Sequence, residues 1–163
     1  MTAQLRPTAD GDLPAVGALH YYSRASAYAH VLSPEALTFG SPEAMGEWWS
    51  ERWKWEGDTH RLTVADDDGE IVGFSYVGPS PDEGVRELYG LHVAPQQVGT
   101  GVGRLLMVNA LAHLGPRAVL WVLDGNDRAR RFYERGGWVA DGMTRDETMG
   151  GEPTRQLRYS RSV

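Results

Sequence analysis

Three glycines at alternate positions, Gly99, Gly101 and Gly103, separate an apolar run that begins at Leu88 from the amphipathic stretch that begins at Arg104. That pattern is chemistry for an anion. Glycine lets the backbone turn tightly and approach a ligand closely. A helix start adds N–H groups that the helix itself leaves unpaired, together with the positive end of its dipole. A phosphate or pyrophosphate suits such groups. A P-loop needs Gly-Lys-Ser/Thr before the helix, whereas Gly103 is followed by Arg104 and Leu105, so nucleoside-triphosphatase chemistry is set aside. The dinucleotide fingerprint Gly-x-Gly-x-x-Gly fails on spacing. No acidic residue closes a second strand about 20 residues later, which argues against a nicotinamide enzyme.

The residues around the turn carry a resemblance. Val93-Ala-Pro95 and Gly99-Thr-Gly-Val-Gly103 together resemble the acyl-CoA-binding core of the GNAT superfamily of N-acetyltransferases, with Val98 standing where that family usually has Arg or Gln. A second block runs from Leu120-Trp-Val-Leu-Asp-Gly-Asn126 through Arg128-Ala-Arg-Arg-Phe-Tyr133 to Gly137-Trp138. It is similar to the family's Asn-x-x-Ala-x-x-Phe-Tyr-x-x-x-Gly-Phe segment, and the two blocks follow one another as consecutive strand–helix units do. The resemblance implies an α/β fold in one domain over 1–163, with a mixed, centrally splayed β-sheet flanked by helices on both faces. It also implies acetyl-CoA as co-substrate and transfer of an acetyl group to a primary amine of a small molecule or peptide, by direct attack in a ternary complex. A non-catalytic acyl-CoA-binding or regulatory module of the same fold is the competing reading.

Acyl transfer from a thioester to an amine needs an unprotonated amine, a cradle for the carbonyl oxygen and a proton for the departing thiolate. By the resemblance, Tyr133 is the acid, because a phenol with an ordinary pKa of about 10 can protonate a thiolate without ionising beforehand. Glu87 stands where several family members keep a glutamate that removes the amine proton, often through water. Read by itself, Glu87 is a strand carboxylate beside Arg86. A bulge near Leu91 would let His92 or Tyr89 compete for the role of base. Leu91, His92 and Val93 are the strand residues expected along the pantetheine arm, Leu91 and Val93 through their backbone groups. The N–H groups of Val98, Gly99, Thr100, Gly101, Val102, Gly103 and Arg104 are expected at the pyrophosphate, where Arg104 adds its charge. Asn126 reads as a helix N-cap and, in the family, as a residue directed toward the coenzyme arm.

Composition narrows the rest. Without any cysteine the chain has no disulfide, thiol nucleophile or thiolate metal site. The five histidines fall at no ligand spacing, so no metal is expected. A net charge of −6 argues against a nucleic-acid surface and favours a cationic amine, for which Asp82, Glu83, Asp146, Glu147 and Glu152 could line the mouth. No apolar run approaches the roughly 18 residues of a membrane span, and a soluble, cytoplasmic protein is expected.

These side chains need elements to hold them. Residues 3–7 read as a strand, and Asp10-Gly-Asp12 before Leu13-Pro14 opens a helix whose apolar residues continue to about Leu32. Ser41-Pro42 starts a second helix bearing Trp48, Trp49, Trp53 and Trp55, read as one stripe that serves the core, a homodimer contact or aromatic recognition of a cation. Arg61–Ala65 and Ile71–Val77 form a hairpin across Asp66–Gly69. The expected order then continues as strand 85–93, helix 101–114, strand 117–123, helix 126–136 and closing strands near 138–141 and 155–160.

Overall fold

The computed structural model describes residues 3–163. β1 (Gln4–Pro7) leads through a 3-10 turn into α1 (Leu13–Ala27). Asp12 closes that turn, accepting from the Ala9 N–H at 2.7 Å and pairing with Arg6 at 2.7 Å. α1 stops at Ala27 rather than near Leu32, because Leu32 does not continue the apolar face of the helix. It packs instead with Ala36 and Leu123 in a small separate cluster. A short α2 (Pro34–Leu37) sits between, capped by the Ser33 hydroxyl. α3 (Pro42–Glu56) begins where expected, with Ser41 Oγ accepting the Ala44 N–H at 3.0 Å.

There follow β2 (Arg61–Asp67), β3 (Glu70–Pro79), β4 (Arg86–Val93), α4 (Val102–Leu114), β5 (Arg117–Leu123), α5 (Asp127–Arg135), β6 (Val139–Met149) and β7 (Glu152–Ser162). The two closing strands are longer than expected, since they form a hairpin that projects past β5. The seven strands make one mixed sheet in the order β1-β2-β3-β4-β5-β7-β6. Leu88, Leu120, Trp138 and Tyr159 bury one face with Met107 and Leu114 of α4. Phe74 and Tyr76 bury the other face with Leu13, Val16 and Trp49 of α1 and α3. Helices thus cover both faces, as the fold class requires.

The centre of the sheet is where function enters. β4 and β5 are parallel and pair only at Arg86/Ala118, Glu87/Val119 and Leu88/Leu120, after which they part. The cause lies on the other side of β4. Tyr76 pairs with Gly90 and Val77 with Leu88, so Tyr89 is an extra residue, a bulge. A bulge bends its strand, and this one bends β4 just where β5 is lost. It lies at Tyr89, two residues before Leu91, near which a bulge was expected.

The tryptophans of α3 do not form one stripe. At about 100° per residue, Trp48 and Trp55 share one face while Trp49 and Trp53 share another. Trp49 is buried edge-on against Phe74 and Tyr76, whereas Trp48 and Trp55 are 47% and 80% exposed. α1 and α3 cross at Gly17 and Gly46, where a Cβ on Gly17 would strike the Gly46 backbone. That close crossing brings His20 of α1 beside Trp48 and Trp49 of α3. Among the described residues, no helix is long and apolar enough to cross a membrane.

Candidate active site

A cleft of about 820 Å³ opens where β4 and β5 part. Leu91, His92, Val93, Val98, Gly99, Gly101, Gly103, Arg104, Asn126 and Tyr133 all line it. Three expected residues do not. Val102 is fully buried among Ala65, Val72 and Leu106, where it anchors the turn to the core. Thr100 turns its hydroxyl back to the Gln97 carbonyl at 2.6 Å. Glu87 lies beyond the closed end of the split, in the paired part of β4.

The glycine turn is built as an anion cradle. Gly99 and Gly101 hold φ of +86° and +100°, a conformation that other residues adopt only with strain. Leu105 is the first residue of α4 whose N–H reaches a carbonyl of the turn, Gly101 O at 3.0 Å. The N–H groups of Gly101, Val102, Gly103 and Arg104 are therefore open at the helix start, and that of Gly99 is open beside them. Not every amide expected at the pyrophosphate is free, however. The Val98 and Thr100 N–H groups already bond to Pro95 O and Gln97 O, at 3.4 and 3.2 Å. Arg104, Arg128 and Arg135 stand on the cleft wall. Open amides on a helix dipole, rimmed by guanidiniums, fit the pyrophosphate of a coenzyme A thioester.

Asn126 caps α5 through its carboxamide oxygen, which accepts the Ala129 N–H at 3.4 Å. Asn126 also borders the cleft, so the expected cap is present on a residue of the cleft wall. Tyr133 lies on the same helix. Burial, reinforced by the neighbouring Tyr28, pushes its phenol well above the ordinary tyrosine value, so it keeps its proton at neutral pH. A proton donor on the cleft wall is the result.

His92 faces the other way, into a polar pocket. A hydrogen bond of 3.2 Å joins its Nδ1 to Ser23 Oγ, and its ring stacks on Phe74 and lies 4.5 Å from His20. The indole N–H of Trp49 donates to His20 Nδ1 at 3.0 Å. An indole can only donate, so a neutral His20 carries its proton on Nε2. Burial and then Arg24 push the pKa of His92 down to about 4. Burial, then His92, Arg24 and Arg52, push His20 well down too. Both imidazoles are neutral at physiological pH.

Glu87 is 5% exposed. Burial raises its carboxyl above the ordinary value, opposed by the charges of Arg145, Arg52 and Arg158. It makes no hydrogen bond to another side chain among the described residues. The acids expected around the mouth are engaged elsewhere. Asp82 pairs with Arg158 at 3.5 Å, Asp146 with Arg155 at 3.5 Å and Glu147 with Arg145 at 3.5 Å, while Glu152 accepts from Ser33.

Sequence reasoning missed several cleft residues. Arg128 and Arg135 were legible in principle, because residues seven apart share a helix face. Trp121, Ser23 and Tyr28 gave no signal. They reach the cleft through sheet order and the end of α1. His30 roofs the cleft by a 2.8 Å bond from Nε2 to Gly125 O, which ties the segment after α1 to the start of α5.

Comparison with known proteins places this geometry. The model of the Acetyltransferase (GNAT) family matches residues 27–138. The probable N-acetyltransferase Rv2775 of Mycobacterium tuberculosis is 30% identical over 139 residues, covering 82% of this chain and 78% of that protein. A mycothiol acetyltransferase of Acidimicrobium ferrooxidans is 35% identical over 98 residues, 56% of this chain. That stretch spans only 31% of the relative's length. Among solved structures, the PaiA N-acetyltransferase of Thermoplasma acidophilum in complex with coenzyme A superposes with a TM-score of 0.80 over the whole of both chains, at 18% identity.

Proposed function

Because the chain belongs to the GNAT acetyltransferase family, we propose that it moves the acetyl group of acetyl-CoA to a primary amine of a small molecule or peptide, by direct attack in a ternary complex. One observation carries the reading: the open amides of the glycine turn and the Tyr133 phenol share a single cleft, entered where β4 and β5 part. A coenzyme-binding module without catalysis would need the amides alone.

Acetyl-CoA supplies the acetyl group as a thioester. The main-chain N–H groups of Gly99 and of Gly101 to Arg104 hold its pyrophosphate, with Arg104 and Arg128 beside them. The unpaired edge of β4 from Tyr89 to Val93 offers backbone groups to the pantetheine amides, since β5 no longer takes them. Asn126 borders the same arm. Tyr133 keeps its proton until the thiolate leaves and then gives it to sulfur. Glu87 accepts the amine proton through water. A buried carboxyl whose pKa is raised is better matched to a base acting near neutral pH than an exposed one. His92, held at about 4, is a weaker base and serves as a wall.

The test is an amine panel with acetyl-CoA as donor, read as free thiol. The protein has no cysteine, so it adds no thiol of its own to the reading. The panel includes amines related to mycothiol, since relatives carry that name; these carry a thiol themselves and are read by mass spectrometry alone. Amine-dependent CoA release, with the N-acetylated product seen by mass spectrometry, is expected. Acetyl-CoA binding without release by any amine would favour the non-catalytic module.

A further inference from the structure

We propose that His92 is a catalytic residue of the transfer: with Ser23 on its Nδ1, its Nε2–H donates to the acyl oxygen of acetyl-CoA as the amine attacks. This rests on the acetyl-transfer reading above and goes beyond the wall that His92 forms there.

The two edges of the imidazole have different surroundings. On the Nδ1 edge, Ser23 Oγ of α1 lies at 3.2 Å. Ser23 is 8% exposed, and its hydroxyl makes no other hydrogen bond among the described residues. A buried hydroxyl proton needs an acceptor, and Nδ1 is the one in reach, so Nδ1 carries the lone pair and Nε2 the proton. Burial and Arg24 keep the ring neutral, with a pKa of about 4, which leaves Nδ1 free to accept.

On the other edge stands Gly90. A Cβ at Gly90 would lie 3.6 Å from His92 Cδ2 and 3.7 Å from Nε2, so this edge of the ring overlies the Gly90 backbone. Contacts of that length are ordinary, and Gly90 is not among the glycines with positive φ. Neither crowding nor backbone conformation therefore calls for glycine. Its missing side chain instead leaves the Nε2 edge uncovered on the cleft wall, which Gly90, His92 and Ser23 all line. Nε2 makes no hydrogen bond among the described residues.

The place suits the reaction. Gly90 follows the bulge at Tyr89 and lies two residues beyond Leu88, the last residue of β4 to pair with β5. A pantetheine arm laid along Tyr89 to Val93 brings its thioester past this edge. When the amine nitrogen bonds to the acyl carbon, the carbonyl π pair moves onto oxygen, and a donor already in place stabilises that charge without reorganising. Collapse returns the pair and breaks the C–S bond, and sulfur takes its proton from Tyr133. His92 keeps its own proton throughout, as a neutral imidazole donor does. Packing holds its aim: buried Phe74 stacks on the ring at 5.1 Å, and His20 lies 4.5 Å away, itself held by the Trp49 N–H.

The test is kinetic and spectroscopic. His92→Leu should lower kcat about a hundredfold for the amines that the panel identifies, with KM for acetyl-CoA within about twofold. His92→Gln, whose carboxamide still donates, should recover about tenfold of that loss. Ser23→Ala releases the tautomer and should cost about threefold in kcat, which Ser23→Thr should restore. Nitrogen NMR of histidine-labelled protein should find the His92 proton on Nε2, and its resonance should move with acetyl-CoA but not with CoA, which lacks the carbonyl. A His92→Leu turnover within about twofold of wild type, a proton on Nδ1, or equal responses to the two ligands would overturn the assignment and leave acetyl transfer standing. A response to acetyl-CoA alone, in a protein that turns over no amine, would do the reverse.

Discussion

At one end of the cleft the functional groups are main-chain amides of one short turn, Gly99 to Arg104, fixed by two positive-φ glycines and by Val102 in the core. At the other end lie side chains, Tyr89 of β4 and Trp121 of β5, with Arg52 of α3 and Arg145 of β6 over their rings. On the proposed reading the first end binds mainly through backbone, so the side chain at exposed Val98 can vary with little effect on it. On the proposed function, a coenzyme site of the first kind and an acceptor site of the second kind would let one scaffold keep its donor while exchanging acceptors.

The largest effect should come from breaking the backbone end. Gly101→Val forces a β-branched residue to φ of +100° and crowds the open amides. Wild-type protein should gain several degrees of thermal stability in saturating acetyl-CoA through mass action, and the variant should gain none while still unfolding cooperatively. A full shift in the variant would remove the turn from the coenzyme site.

Tyr133→Phe probes the junction of the two ends. Turnover should drop by about one to two orders of magnitude, with coenzyme affinity within about twofold. If single-turnover rates hold while affinity falls, the phenol is a packing group.

Glu87→Gln touches only the acceptor end, and a loss of about tenfold in kcat/KM near pH 7 is expected. The sign follows from burial: a carboxyl raised above its ordinary value becomes a base only at correspondingly higher pH, so the wild-type rate should climb through that raised value. The variant should lose this limb and regain activity at alkaline pH as the amine deprotonates unaided. Identical pH profiles for the two proteins would reject the assignment.

The smallest effect is on stability. His92 has a folded pKa of about 4 against an ordinary histidine value of 6.5, so the unfolded chain binds more protons between those values. Its contribution is therefore complete above about pH 6.5 and is lost as pH falls toward 4. His92→Gln should flatten the decline of Tm over that window by about 5 °C, as read by calorimetry at closely spaced pH values.

Much of this was legible beforehand. β5 falls at the expected residues, and α4 and α5 fall within one residue of the expected boundaries at either end, because capping, glycine placement and apolar periodicity act over a few neighbours. The glycine turn and Tyr133 were legible for the same reason, and ten of the thirteen expected site residues reach the cleft wall. Legibility ended where the answer depended on distant partners. Thr100 was expected to offer its amide, but the 3-10 turn ahead of it takes that N–H. Trp49 and Trp48 are adjacent in sequence and opposite in fate, because only one faces Phe74 and Tyr76 across the layers.

The order of elements, the glycine turn and the place of Tyr133 on the helix that walls the cleft lay in the sequence itself, since each rests on local backbone preference or on one contiguous motif. The bulge at Tyr89, the split beside it and the placing of Arg52 and Arg145 over the Tyr89 and Trp121 rings were decided only by tertiary structure. The physical reason is register. In a strand the side chains alternate faces, so a single extra residue in β4 determines which of them meet the cleft. The partners they meet come from helices and strands far away in the chain, brought there by the sheet order.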